Sequence, residues 1–102
     1  MSDMKIQELS QRREEAARFL QLIANPHRLC ILCELGEGER SVSQLERIVE
    51  ISQSALSQHL AKLRDANIVS TRRQGQSIFY SIADPRSARV IGVLAEIFCK
   101  PE

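Results

Sequence analysis

Apolar positions along the chain repeat first with a helical period and later with a strand period. Ile6, Leu9, Ala16, Leu20 and Ile23 form one stripe, which predicts a helix across roughly residues 4–24. Asn25-Pro26 punctuates it, because Asn is a favoured N-cap and Pro suits the first helical position. The next helix is expected over about 26–35, with Leu29, Leu32 and Cys33 inward and Gly36 as its left-handed end. Glu37-Gly38-Glu39-Arg40 reads as a loop. Ser41 and Gln44 make a capping-box pattern, opening a short helix with Val42, Leu45 and Ile48 on one side. Ser52 caps a helix over about 53–66, in which Leu56, Leu60 and Leu63 recur at i, i+4, i+7. The period then falls to two, and Ile68–Arg73 and Ser77–Ala83 alternate as strands around Gly75. Asp84-Pro85 starts a last helix with Val90, Ile91, Leu94, Ile97 and Phe98 apolar. The expected class is mostly α with a small β-hairpin, in the order α-α-α-α-β-β-α.

At 102 residues this is expected to be a single domain, 1–102, near the lower end of what buries a self-sufficient core. Aromatics make up 4% and Trp is absent, so the core must be aliphatic and a second subunit would help. The first and last helices are more apolar than two surface helices of so small a domain require. Their leftover stripe suits a twin, although the monomer's own core could instead consume both faces. No apolar run approaches the roughly 20 residues that span a bilayer. Met1–Arg18 lacks the apolar centre of a signal peptide. A cytoplasmic protein without a membrane partner is the expectation. In that reducing setting three cysteines serve metal, redox or packing roles rather than a structural disulfide.

Charge matters through its distribution. The net value is only +1, but residues 52–83 hold Lys62, Arg64, Arg72 and Arg73 against Asp65 alone. Residues 25–51 balance to −2. The positive segment coincides with an unusual helix face. Ser54, Gln58, Ala61 and Lys62 lie opposite the leucine stripe, flanked by Gln53 and Ser57, and carboxylates are nearly missing. Hydroxyl and amide side chains can donate to and accept from base edges, and basic residues can meet phosphate. A polar reading helix followed by a basic hairpin is the requirement of a winged helix-turn-helix DNA reader.

Ser-Gln-Ser-x-x-Ser-Gln-His-Leu at Ser52–Leu60 and Arg-Arg-Gln-Gly-Gln-Ser-Ile-Phe-Tyr-Ser-Ile at Arg72–Ile82 carry a resemblance. From about Leu20 to Cys99 the chain resembles the ArsR-type family of small bacterial winged helix-turn-helix repressors. The resemblance implies that the first motif lies in the major groove and that the second is the wing. It assigns DNA contact to Gln53, Ser54, Ser57 and Gln58, with His59 adjacent. Taken alone, Ser54 and Ser57 also suit helix-start capping, and His59 also suits a half-buried packing role. Arg72 and Arg73 alternate across a strand, so one contacts phosphate or minor groove while the other is solvated. Lys62 and Arg64 are further phosphate candidates. As a C2 homodimer the protein would set two reading helices about 34–36 Å apart on an imperfect inverted repeat of double-stranded operator DNA.

Enzyme chemistry has little support. The chain has two histidines, no Gly-rich phosphate loop and no catalytic triad or carboxylate pair that survives placement on the helices. His27 reads as an exposed first-turn residue. A pure protein-interaction module is the other non-enzyme class, and the basic wing argues against it. No cofactor is expected. The family's thiolate metal site would need Cys-Val-Cys where this chain has Ser41-Val42-Ser43, and its last-helix zinc site needs histidines absent beyond residue 59. Cys33 and Cys99 instead resemble the two thiols of the BigR, HlyU and SqrR-like branch, which senses reactive sulfur or oxidants without metal. The implied function is a dithiol-dependent repressor, bound to operator when reduced and released when Cys33 and Cys99 are linked by a disulfide or polysulfide. In that reading Cys33 is buried and Cys99 exposed. Cys30 and Cys33 are too constrained in a regular helix to bridge one another. The alternative is a metalloregulator using Cys30, Cys33 and Cys99 for arsenite or another thiophilic metal.

Overall fold

The computed structural model of the chain describes residues 3–99. The first expected helix is divided into α1 (Asp3–Gln11) and α2 (Arg13–Ile23). The break is at Arg12, whose backbone leaves helical geometry at φ −108, ψ 24. The Arg12 guanidinium grips Glu15 at 2.8 Å, so α2 restarts with an ion-paired first turn. The apolar stripe runs straight across this break and carries no trace of it.

Asn25 caps α3 (Pro26–Glu37), its side chain accepting from the backbone N–H groups of His27 and Arg28. This helix continues through Gly36, contrary to expectation. Gly38 ends it instead, at φ 146 and ψ −179, a backbone region essentially confined to glycine. The following loop contains a short strand, β1 (Arg40–Ser41). Both bonds of the Ser41–Gln44 capping box are formed at the start of α4 (Val42–Ile48). Ser52 accepts from the Ala55 N–H at 3.2 Å to open α5 (Gln53–Asp65).

Asn67 closes α5 in the left-handed region, φ 60. The Ile68 N–H donates to Leu63 O and the Asn67 N–H to Arg64 O, the bond pair of a Schellman motif. Leu63 and Ile68 are both buried, completing its usual apolar contact. The chain is thereby turned into β2 (Val69–Gln74), which pairs antiparallel with β3 (Ser77–Ile82). Gly75 turns the hairpin with a φ of 62, as the first position of a tight two-residue loop requires. The sheet order is β1-β3-β2. Asp84 accepts from the Arg86 N–H and caps α6 (Pro85–Phe98).

The core is aliphatic, as composition requires. Ile31, Leu32 and Leu35 of α3 meet Leu45, Val49, Leu56, Leu60, Leu63, Ile68 and Val69, with Tyr80 beneath the sheet. Each such side chain contributes about 1.5–3 kcal/mol relative to leaving it in water. The inward face of α3 therefore differs from the expected Leu29/Leu32/Cys33 stripe: Leu29 is half-buried and Cys33 is exposed. Leu29 to Cys33 is apolar in every direction, so spacing alone could not choose the helix rotation. Arg28, bonded to α2 and α5, sits on the inward side. No helix among the described residues is long and apolar enough to cross a membrane.

Candidate nucleic-acid interface and thiol pair

α4, the turn through Val49–Ser52, and α5 form a helix-turn-helix whose second helix is anchored by Leu56, Leu60 and Leu63. That anchoring leaves Gln53, Ser54, Ser57, Gln58 and Lys62 exposed together, while Ala61 is half-buried. Capping is the work of Ser52, whose hydroxyl is also hydrogen-bonded to that of Ser54 at 3.3 Å. Ser57 lies beyond the capping turn, so its hydroxyl is placed on the outer face. An uncharged hydrogen-bonding face with Lys62 and Arg64 in its last turn can address base edges and phosphates together.

His59 sits at the edge of this face and is half-buried. Its Nδ1 accepts from Arg28 Nε at 3.0 Å, and its ring lies 5.7 Å from the exposed His27. Burial, then the charges of Arg28, His27 and Lys62, hold the His59 imidazole below its ordinary value. Sequence reading missed Arg28, since its partner is distant in the chain.

The two wing arginines differ. The Arg72 guanidinium holds both oxygens of Glu39, at 2.9 and 2.7 Å, and donates to Gln74 Oε1 at 2.8 Å. It also stacks over Phe79, 4.6 Å from the ring centroid. The same hydrogen bond holds the Glu39 carboxyl below the usual carboxylate range. Arg73 is on the opposite side of the strand, exposed and without an ion pair among the described residues. Arg73 is thus the cation this wing offers, and Arg72 fastens the wing to the α3–β1 loop. Glu39 gave no sequence signal, being one of four residues read as loop.

Cys33 is exposed on α3 and Cys99 is exposed at the C-cap of α6. α3 and α6 pack against each other, and all three thiols are free. The buried member is Cys30, half-covered against the core rather than Cys33. Burial, with Cys33 and Glu34 nearby, pushes the Cys30 thiol up and lowers its thiolate fraction. Among the described residues no three Cys, His, Asp or Glu side chains gather as a metal site. Ser41, at a position the thiolate site would require as cysteine, spends its hydroxyl on capping α4.

A helix-turn-helix with an exposed polar reading face and a hairpin wing defines the winged helix-turn-helix class of DNA-binding regulators. Residues 25–71 match the model of the arsR family of bacterial regulatory proteins. The chain is 42% identical to the biofilm growth-associated repressor of Agrobacterium fabrum over its full length, covering 87% of that protein. The structure of the repressor BigR from Xylella fastidiosa superposes with a TM-score of 0.88 at 38% identity, over 99% of this chain and 100% of that one. Reduced HlyU from Vibrio cholerae N16961 matches with a TM-score of 0.84 at 40% identity, over 92% and 99% of the two chains. The chain belongs to the arsR family, within its BigR/HlyU branch, and its relatives are DNA-binding transcriptional regulators rather than enzymes.

Proposed function

We propose that this protein is a cytoplasmic, homodimeric, single-domain repressor that binds an imperfect inverted repeat when reduced and leaves it when Cys33 and Cys99 become linked. The observation that carries the switch is the exposure of both thiols on two helices that pack together, with the third thiol half-covered against the core. Names among its relatives support regulation of transcription, two being described as repressors and HlyU as a transcriptional activator whose reduced form is a solved structure. DNA reading falls to Gln53, Ser54, Ser57 and Gln58, with His59 and Arg73 at the edges and Arg72 as a strut. The apolar residues left exposed on α1 and α6, including Leu9, Ile97 and Phe98, supply the dimer surface.

The chemistry balances with a hydrogen polysulfide. One thiolate attacks a terminal sulfur of HSSH, giving a persulfide and releasing hydrogen sulfide. The second thiolate then attacks the persulfide sulfur next to Cβ and displaces a second hydrogen sulfide, so two thiols are oxidised and one HSSH is reduced. A peroxide reaches the same disulfide through a sulfenic acid, releasing two waters. The link ties α6 to α3, shifts the dimer-forming helix and spoils the groove spacing. A tenfold loss of operator affinity needs only about 1.4 kcal/mol between the states. Cys33→Ser and Cys99→Ser should each bind operator normally yet remain bound after polysulfide treatment, while Cys30→Ser should still release. Release of the Cys33/Cys99 double variant in a mobility-shift titration would sink the switch.

A further inference from the structure

Arg28 is used by nothing described so far, yet it is placed with unusual care. It follows the Asn25-Pro26 corner, and Asn25 fixes its backbone N–H at 3.2 Å. Its Nη1 donates to the Leu22 carbonyl at the end of α2, at 3.0 Å. Its Nε donates to Nδ1 of His59 in α5, also at 3.0 Å. A guanidinium remains protonated and cannot accept, so the proton between the two groups belongs to Arg28. Nδ1 must therefore carry its lone pair. A neutral His59 then has its only N–H at Nε2, and turning the ring over would set a C–H against the Arg28 donor. His59 itself is half-buried, at the edge of the outer face of α5.

We infer that Arg28 is a positioning residue for DNA reading: it fixes His59 as a neutral Nε2–H donor that hydrogen-bonds a DNA phosphate oxygen. This rests on α5 being the reading helix. Phosphate is the acceptor of choice because exposed Lys62 lies one turn on, at i+3, and its charge is felt at the His59 ring. Burial, then the surrounding cations, lower the His59 imidazole and so disfavour its charged form. The donor thus adds a hydrogen bond without adding charge.

That distinction gives the experiment. Nitrogen-15 NMR of the free wild-type protein near pH 7.5 should show an unprotonated His59 Nδ1 and a protonated Nε2. An Nδ1–H tautomer would overturn the inference with no variant and no DNA involved. Arg28→Met should let the tautomers mix. His59→Ala should weaken binding to operator and to random duplex alike, by about tenfold, with an unchanged salt slope. Lys62→Met should reduce that slope by about 0.9. Arg28→Met should weaken binding in the same pattern as His59→Ala but by less, with the slope unchanged, and combining the two should add little to His59→Ala. If Arg28→Met lowers the slope, Arg28 meets phosphate itself and the inference fails. It also fails if the two losses add, or if His59→Ala affects operator alone. Ser57→Ala and Gln58→Ala serve as the control on the reading helix. If they leave discrimination between operator and random DNA intact, that assignment is at fault while the tautomer result stands.

Discussion

The reading half of the molecule and its outer helices treat apolar side chains in opposite ways. In α5 the leucines are sealed, and Leu63 is 0% exposed. On α1 and the end of α6, Leu9 is 53%, Ile97 66% and Phe98 79% exposed. Both regions carry the same kind of helical stripe, so periodicity alone does not distinguish a face that is satisfied from one that is waiting. The reading half closes around one aliphatic cluster and the sheet. The outer helices leave several large apolar side chains in solvent, Leu9, Leu20, Val93, Ile97 and Phe98 among them, more than isolated surface residues need.

The sharpest break between the halves is a pair of substitutions. Leu60→Ala should cost about 2–5 kcal/mol in chemical denaturation, at every protein concentration, because its cavity lies inside the sealed cluster. Ile97→Asp should leave the monomer's fold in place, convert dimer to monomer in sedimentation, and lower operator affinity more than tenfold at nanomolar protein, since two half-sites would no longer be held together. Equal destabilisation by both, independent of concentration, would erase the contrast.

Next in size is a backbone effect within the reading half. Gly38→Ala should destabilise by about 1–3 kcal/mol, since its φ of 146 suits glycine whatever the space around it. Gly36→Ala should stabilise by about 0.5–1 kcal/mol, because Gly36 is helical and an added Cβ meets nothing within 4 Å. Thermal melts of the two variants should move in opposite directions.

The same two glycines show where sequence was legible. Caps at Asn25, Ser41, Ser52 and Asp84 are local chemistry, and each appears where the residues place it. The α5 stripe is interrupted by polar residues, so its phase could be read, and the outer reading face followed from it. In α3 the run Leu29–Cys33 offers no polar contrast, which hid its rotation and put Cys33 inward, while two nearby glycines, Gly36 and Gly38, both suited the helix end. The break at Arg12 and the bonds Arg28–His59 and Glu39–Arg72 depend on partners met in folding or on side-chain competition. Spacing does not encode them.

A smaller effect separates the wing arginines. Arg73→Ala should weaken operator and random DNA together and lower the salt slope by about 0.9, as loss of one phosphate contact would. Arg72→Ala should leave the slope unchanged and instead loosen the wing, seen as faster hydrogen exchange at β1 and β2, because Arg72 is held by Glu39 and Phe79. A slope change with Arg72→Ala and none with Arg73→Ala would reverse the assignment.

The mildest test uses acid to ask which half loosens first. The folded His59 is held below its ordinary value of 6.5, by burial before the neighbouring charges. Above pH 6.5 both folded and unfolded chains leave it neutral, and its contribution to stability is fully present. As pH falls below 6.5 the unfolded chain takes up the proton while the folded chain resists. Stability is lost progressively as pH passes down through the folded value. Protonation would set a new Nδ1–H against the Arg28 Nε–H, so the loss is located at the α3–α5 contact. On the outer helices, Glu15 and Asp84 are lowered by their hydrogen bonds to Arg12 and Arg86. Their contributions persist above the unfolded values of 4.5 and 3.8 and disappear only as pH falls through the lowered folded ones. The reading half should therefore respond to mild acid before the outer helices do. Urea midpoints measured from pH 7.5 to 5 should decline for wild type and stay flatter for His59→Asn. Parallel declines would mean that His59 does not set the acid response of the reading half.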